Sequence, residues 1–540
     1  MRHPAAALAL LLACVSAVPA ESAPGQPRLI VLLTIDQGRG DYLDRFAPAL
    51  TGGLKRLMDQ GVQFRDAHQN HANTVTAAGH AALSTGRYPT HSGMVGNEWF
   101  DRVARRQVYC VEDEQAPPLR PQGAVGGITA GRSPRNLLSD TFADWLKREH
   151  PTAKVFSIGG KDRSAVLMGG HAADGAYWYD ARNGHWITTR FYAEAYPDWV
   201  ARFHAERAVD DYFGETWTPL PVNDEALVAM EIAAGTFDHA FGRGRLAPDR
   251  RYYTSIYNSP ILDAQSFALA KRAIVAESLG QDDVPDILAL SLASADTVGH
   301  DYGPNSREVL DTILRIDREL DELLDLLDAT IGLDEVAFSL SADHGVAPLP
   351  EFEAARGRTG TRASGEDFAC VQRAGRAFID AFGEAPWFLA PLTFDPDALA
   401  REGRTAEEVE TFLARELSRC AAVERVWTRT ELKQAPEDRG SSMASLYRHS
   451  MRDDRGPDLF VQQRPGHLDG ARGTTHGSPH RYDTHVVALL RWPGGTKDVV
   501  TERVHTVDLP VTLATLMGIP IPQDVDGVDR SSSLSLKTEP

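Results

Sequence analysis

Three apolar runs far apart in this chain each lead into an aspartate: Leu29 to Asp36 (LIVLLTID), Asp286 to Asp296 (DILALSLASAD) and Glu335 to Asp343 (EVAFSLSAD). Strands buried on both faces of a parallel sheet read as continuous apolar runs, and open α/β sheets place their chemistry just beyond the carboxyl ends of such strands. The pattern therefore predicts an α/β chain in which three carboxylates converge on one edge of one sheet. His300 follows Asp296 by four residues and His344 follows Asp343 directly. Carboxylate oxygens mixed with imidazole nitrogens form a donor set suited to zinc.

A length of 540 residues allows several domains, but long α/β enzymes also grow by insertion into one core. With 42% hydrophobic and 24% charged residues the composition is that of an ordinary globular protein, which excludes disordered and fibrous classes. A formal net charge of −19 argues against a general nucleic-acid or membrane-surface binder, because such proteins carry basic faces. An anionic substrate then needs a local positive site, from metal ions or a few bases.

Residues 1–20 read as an export signal. Arg2 and His3 precede an apolar stretch from Ala5 to Val18, and Val18, Pro19 and Ala20 supply the small-residue ending. Leu11, Leu12, Ala13 and Cys14 also resemble a weak lipobox, so a lipid anchor at Cys14 is the alternative to simple secretion. No later segment is long and apolar enough to span a bilayer. After signal removal Cys110, Cys370 and Cys420 remain; Cys370 and Cys420, in one inserted region, form the candidate disulfide of an exported chain.

Along the chain, helices are expected at Leu54 to Met58, Thr76 to Leu83, Leu137 to Lys147, 261–279 and Ser306 to Ala329, with a strand at Ala153 to Ile158 ending on Gly159, Gly160 and Lys161. Ala176 to Thr189 alternates around Asn183 and Gly184, a hairpin signal because both residues tolerate positive φ. Residues 190–260 and 350–470 fit no regular βα unit and read as insertions, the second cap-like. The core resumes at His485 to Leu490 and closes with a helix from Thr506 to Met517, with Thr506 as its cap.

Asp36, Asp296, His300, Asp343 and His344 are the candidate metal ligands, and two sites of three protein ligands each need one more histidine. His476, within Gly473 to Gly477, is the best supply, with His480 and His485 as competitors. For the nucleophile, the stretch from Thr74 to His80 puts a hydroxyl at a helix N-terminus, where backbone N–H groups and the helix dipole favour phosphate. Thr74 and Thr76 both fit, and a lone threonine there is more often a simple helix cap.

Taken in order, Asp36, Thr76 in T-A-A-G-H, Asn97 in G-N-E-W, Lys161 and Arg163 in G-K-D-R, Asp296 and His300 in D-T-V-G-H, Asp343 and His344 in A-D-H-G, and His476 in T-T-H-G resemble the alkaline phosphatase superfamily. More narrowly they resemble its phosphate-irrepressible periplasmic alkaline phosphatases with a threonine nucleophile, which share a core with type I phosphodiesterases and nucleotide pyrophosphatases. The match runs from about residue 29 to Asp526 and Gly527.

That resemblance implies a doubly wound central sheet flanked by helices, a catalytic domain over 28–540 and cap-like insertions. It implies that Asp296, His300 and His476 hold one zinc ion and Asp36, Asp343 and His344 a second. Thr76, bound to metal, becomes a phosphothreonine, and family precedent chooses it over Thr74. Asn97, Lys161 and Arg163 bind the non-bridging phosphoryl oxygens, where a bidentate guanidinium and an ammonium meet spread negative charge. The Lys161 and Arg163 pair resembles the monoesterase signature, so the expected activity is hydrolysis of small-molecule phosphate monoesters with a broad substrate range. A phosphodiesterase or nucleotide pyrophosphatase is the alternative. His80 is expected to be structural. The implied setting is periplasmic or secreted, as a monomer without nucleic-acid partners.

Overall fold

The computed structural model describes residues 25–233, 235–383, 387–436 and 439–534; the expected export signal and Cys14 lie outside them. Its centre is a ten-stranded mixed sheet built from β1 (Leu29–Ile35), β2 (Val62–His68), β3 (Val155–Gly159), β4 (Gly175–Asp180), β5 (His185–Ile187), β6 (Asp286–Leu292), β7 (Val336–Ser341), β8 (His485–Val486), β9 (Ala488–Arg491) and β10 (Asp498–His505). β7, β1, β6, β3 and β4 lie side by side and parallel. β1, β6 and β7 are buried at every position, which is why their sequences show no alternation. β5 closes one edge antiparallel to β4, through the hairpin expected at Asn183 and Gly184, where Gly184 takes φ 73°. On the other side β9 runs antiparallel to β7, and β2 is flanked by β8 and β9 on one side and β10 on the other.

Helices flank the sheet. Those that position the site are α1 (Thr76–Thr85), α2 (Phe142–Glu149), α3 (Asp162–Gly169), α4 (Ile261–Glu277), α5 (Ser294–Tyr302), α6 (Arg307–Thr330) and α7 (Asp508–Met517). α6 carries the return from β6 to β7. Ser306 caps it by accepting a hydrogen bond from Val309 N, and Leu310, Ile313, Leu314, Ile316 and Leu320 form the buried stripe that its spacing predicts. No helix among the described residues is long and apolar enough to cross a membrane.

The structure corrects three boundaries. The run from Asp286 to Asp296 is not one strand: β6 stops at Leu292, Ala293 turns to helical dihedrals, and Asp296 sits in the first turn of α5. The helix expected from Leu137 starts at Phe142, because Thr141 and Asp144 form a capping box there. Thr506 does not cap the last helix; its hydroxyl donates to Gln69 Oε1 at 2.7 Å, and α7 begins at Asp508. β10 was not expected at all, since it buries only Val500, Val504 and His505.

Residues 365–463 include helices Gly365–Phe382 and Ala406–Leu417 and an antiparallel pair, Val423–Thr428 with Leu459–Gln463. They form a hydrophobic cluster of their own around Trp387, Phe378 and Leu413, and the Cys370–Cys420 disulfide ties the first helix to the turn just after the second with a Cα–Cα distance of 5.6 Å. Residues 190–260 instead add Trp199, Trp217 and Tyr252 to the main core.

Candidate active site

Register brings the carboxylates together. Thr34 pairs with Ser341, so two residues further on Asp36 faces Asp343, and Asp36 N donates to Leu292 O at 2.9 Å, beside the start of α5. Asp296 and His300, four residues apart in α5, share a helix face, with His300 Nε2 3.1 Å from Asp296 Oδ1. His476 arrives from the loop before β8, with Nε2 3.4 Å from the same oxygen. His344 Nε2 lies 3.5 Å from Asp36 Oδ1 and 3.3 Å from Asp343 Oδ2. Its ring stacks on His476 with centroids 3.5 Å apart.

All three histidines point the same nitrogen inward, and the reason is local. His300 Nδ1 meets Thr474 O at 2.9 Å, His476 Nδ1 meets Thr74 O at 2.8 Å and His344 Nδ1 meets Gly345 O at 3.0 Å. A carbonyl can only accept, so each Nδ1 carries a proton and each Nε2 is left as the inward donor atom. Backbone anchoring of this kind orients and tautomerises metal-ligating imidazoles.

The donor set fits cations. Asp36 Oδ1 and His344 Nε2 are buried with no hydrogen-bond donor, and Asp36 Oδ2 has only the Lys161 ammonium, 2.6 Å away and outside hydrogen-bond geometry. Asp343 Oδ2 also lacks a donor, because the closest imidazole N–H, His80 Nδ1 at 3.2 Å, is aligned on Thr76 O. Such groups cost about 1–3 kcal/mol each when left unpaired, more when charged. Asp36, Asp343 and His344 form one group with ligand atoms within 4.8 Å of one another, and Asp296, His344 and His476 form another. The groups therefore meet at His344, and His300 joins the second through Asp296.

Electrostatics says the same. Burial, and then the charge of Asp343, push the Asp36 carboxyl well above the usual carboxylate range. Burial would raise Asp296 too, but Lys161 and His300 outweigh it and hold that carboxyl well below the range. Burial holds His344 down at about 3. Lys161, though buried, is held above its ordinary value by Asp296 and Asp36, and its Nζ is 2.6 Å from Asp296 Oδ2. Three carboxyls share one ammonium here; without a cation the excess charge is relieved by the upward push on Asp36, and bound cations would relieve it instead.

Thr76 opens α1, every residue of which is buried. Its hydroxyl is not a cap: Asn97 Oδ1 takes the Ala77 N–H at 2.9 Å, leaving Thr76 Oγ1 3.3 Å from Arg163 Nη2 and 3.5 Å from Lys161 Nζ. Thr74 turns away and donates to Ser478 O at 2.9 Å. His480 and His485 lie elsewhere, on Gln463 O and Arg65 O. His80 sits beneath α1, with Nδ1 2.9 Å from Thr76 O and Nε2 2.8 Å from Ser291 Oγ.

Two residues escaped sequence reasoning. Gln37, directly after Asp36, has φ 66°, uncommon for a residue with a side chain. In that conformation its backbone N–H reaches Asp343 Oδ1 at 3.2 Å and its Nε2 reaches Asp296 Oδ1 at 2.8 Å, so it clips the two carboxylates together. Tyr109 donates to Asp162 Oδ1 at 2.6 Å and accepts from Arg163 Nη1 at 3.4 Å, which fixes the guanidinium beside Thr76. A glutamine after a strand-end aspartate was a readable signal for the first; Tyr109, on a distant hairpin, offered none.

Comparisons with known proteins place the chain in a family. The model of the type I phosphodiesterase / nucleotide pyrophosphatase family matches residues 30–466. The chain is 32% identical over 520 residues to the alkaline phosphatase PafA of Elizabethkingia meningoseptica, covering 93% of each. It is 38% identical over 338 residues to the alkaline phosphatase PhoV of Synechococcus elongatus, covering 61% of this chain and 60% of that one. The crystal structure of wild-type PafA superposes with a TM-score of 0.83 at 29% identity, over 94% of this chain and 99% of that chain.

Proposed function

Because this chain belongs to the type I phosphodiesterase / nucleotide pyrophosphatase family of the alkaline phosphatase superfamily, we propose that it is an alkaline phosphatase that hydrolyses phosphate monoesters through a phosphothreonine at Thr76. The observation that carries the reading is one hydroxyl, Thr76 Oγ1, on a helix N-terminus between Arg163 and Lys161, beside three buried carboxylates and three inward Nε2 atoms. Asp296, His300 and His476 would hold one zinc ion and Asp36, Asp343 and His344 a second, which would supply positive charge to lower the hydroxyl's pKa and stabilise the departing oxygen.

The chain's own residues do the rest. Thr76 Oγ1 forms the bond to phosphorus as the ester oxygen departs in line, and water then cleaves the phosphothreonine to release phosphate. Arg163, held by Tyr109, stabilises charge on the non-bridging oxygens. Asn97, whose Oδ1 is committed to Ala77 N, keeps its amide N–H groups for the same oxygens. Lys161 links this anion site to Asp36 and Asp296. The first turn of α1 adds backbone N–H groups and the positive end of its dipole. The reading includes export through the signal at residues 1–20, a catalytic domain over 28–540, and 190–260 and 350–470 as insertions, the second a cap.

The test pairs an aryl phosphate monoester with the matching diester, before and after chelation and zinc add-back. Chelation should abolish monoester hydrolysis and zinc restore it, and Arg163→Ala and Lys161→Ala should lower monoester kcat/KM far more than diester turnover. A diester turned over faster than its monoester supports a phosphodiesterase instead.

A further inference from the structure

A cavity of about 480 Å³ lies between the 350–470 segment and the catalytic face. Its aromatic walls are Trp99 and Phe100 from the core and Tyr447 and Phe460 from the inserted segment, and Asn73 and Gly477 line it too. Three lining residues are chain neighbours of the reacting groups: Asn73 precedes Thr76 by three residues, Glu98 follows Asn97, and Gly477 follows His476. Adjacent Cα atoms are about 3.8 Å apart, so the cavity begins within a few residues' reach of the Thr76 hydroxyl.

Its chemistry is not that of the phosphoryl site. Among the cavity-lining residues the one cation is Arg455, whose guanidinium is committed to Gly93 O and to Asn136 O at 3.0 Å and lies over the Trp99 ring at 4.7 Å. Glu98 brings an exposed carboxylate, which disfavours a second anionic group. Trp99 is buried yet leaves its indole N–H without an acceptor. Leu392, also in the wall, holds φ 53°, a conformation a leucine keeps only where its surroundings impose it. The Asp458 N–H to Leu392 O bond, 2.7 Å, imposes it, and the Asp458 carboxylate pairs with Arg102 beside the core wall. The two halves of the cavity are thus locked in position. Apolar aromatic walls with a few polar groups, at this volume, suit a small organic molecule.

We propose that this cavity binds the alcohol half of the substrate and that the preferred monoesters carry a neutral, flat aromatic or heteroaromatic leaving group. The proposal rests on the monoesterase reading above. Stacking against aromatic walls should favour such esters by severalfold to about tenfold over a small alkyl ester, beyond their intrinsic reactivity.

The experiment measures kcat/KM for 2-naphthyl phosphate and methyl phosphate on the zinc-loaded wild-type protein, on Phe460→Ala, which removes a wall, and on Ala390→Trp, which fills the space from a lining position. The naphthyl-to-methyl ratio should fall severalfold or more in both variants, through KM, and free 2-naphthol should compete against methyl phosphate in the wild type. A ratio unchanged in both variants overturns the subsite, whatever the absolute rates. Failure of the wild-type protein to hydrolyse either ester overturns the monoesterase reading instead.

Discussion

Gly79, the fourth residue of α1, is where the helix that begins at Thr76 touches the turn after β7 at Asp343. A Cβ there would stand 2.0 Å from Asp343 O and 2.6 Å from Asp343 C and Cα. Carbon contacts settle near 3.5–4.0 Å, so Gly79→Ala forces α1 and the end of β7 apart by an amount on the order of 1 Å. None of the opposing atoms is a flexible side chain that can swing aside. Overpacking of this kind costs about 1–3 kcal/mol of stability, while a shift of 1 Å between reacting groups costs on the order of 100-fold in rate. The variant should therefore fold, melt a few degrees lower, and lose roughly 100-fold in monoester kcat/KM at saturating zinc, with weaker zinc retention because Asp343 is displaced. Gly375→Ala is the control: nothing lies within 4 Å of its added Cβ, it sits inside helix Gly365–Phe382, and alanine there should be stabilising. Steady-state kinetics and melting curves on both variants suffice. Wild-type kcat/KM in Gly79→Ala would show that Thr76 and Asp343 need not be held in this register.

Tyr109→Phe removes the hydroxyl that aligns Arg163 and should cost about tenfold in monoester kcat/KM, less for a diester, and nothing further once Arg163 is alanine; an additive loss in the double variant would refute the positioning role. Reducing Cys370–Cys420, or replacing both with alanine, opens a loop with a sequence separation of 50. The loop-entropy model puts that at about 4 kcal/mol, so the 365–463 segment should melt earlier than the core; coincident transitions in both redox states would argue otherwise. His71 is buried, with its imidazole held down at about 3 by burial and then by His449. Its neutral form is stable above the unfolded value near 6.5, and as pH falls below that the unfolded chain takes up the proton first, so stability drops by about 1.4 kcal/mol per unit until the folded value is reached. His71→Leu should flatten the fall in melting temperature between pH 6.5 and 4, and an unchanged slope would assign the acid loss to other groups.

Much of the centre was legible because it obeys local rules. β1, β6 and β7 are uninterrupted apolar runs, and a parallel sheet in register makes residues just past their ends neighbours, which is how Asp36 meets Asp343. What escaped depends on relations between distant segments. Asp296 looked like a strand end because Leu292 to Ala295 continues the run with small residues and no turn signal, but the chain had already turned into α5. Thr506 had every local qualification as a cap and lost its hydroxyl to Gln69, a residue of the loop after β2. The tautomers of His300, His344 and His476 are set by three backbone carbonyls, one of them more than 400 residues from its histidine in the chain. The cavity belongs half to residues 390–461, whose packing against Trp99 no periodicity encodes.

The fate of the Thr76 hydroxyl decides the mechanism. The zinc-loaded protein should be mixed with a reactive aryl monoester, quenched in acid within the first turnover, digested and mapped by mass spectrometry. One phosphoryl group on the peptide containing Thr76, absent in Thr76→Ala along with the activity, is the predicted result. Full turnover by Thr76→Ala, or a phosphoryl group trapped on any other residue, would contradict it.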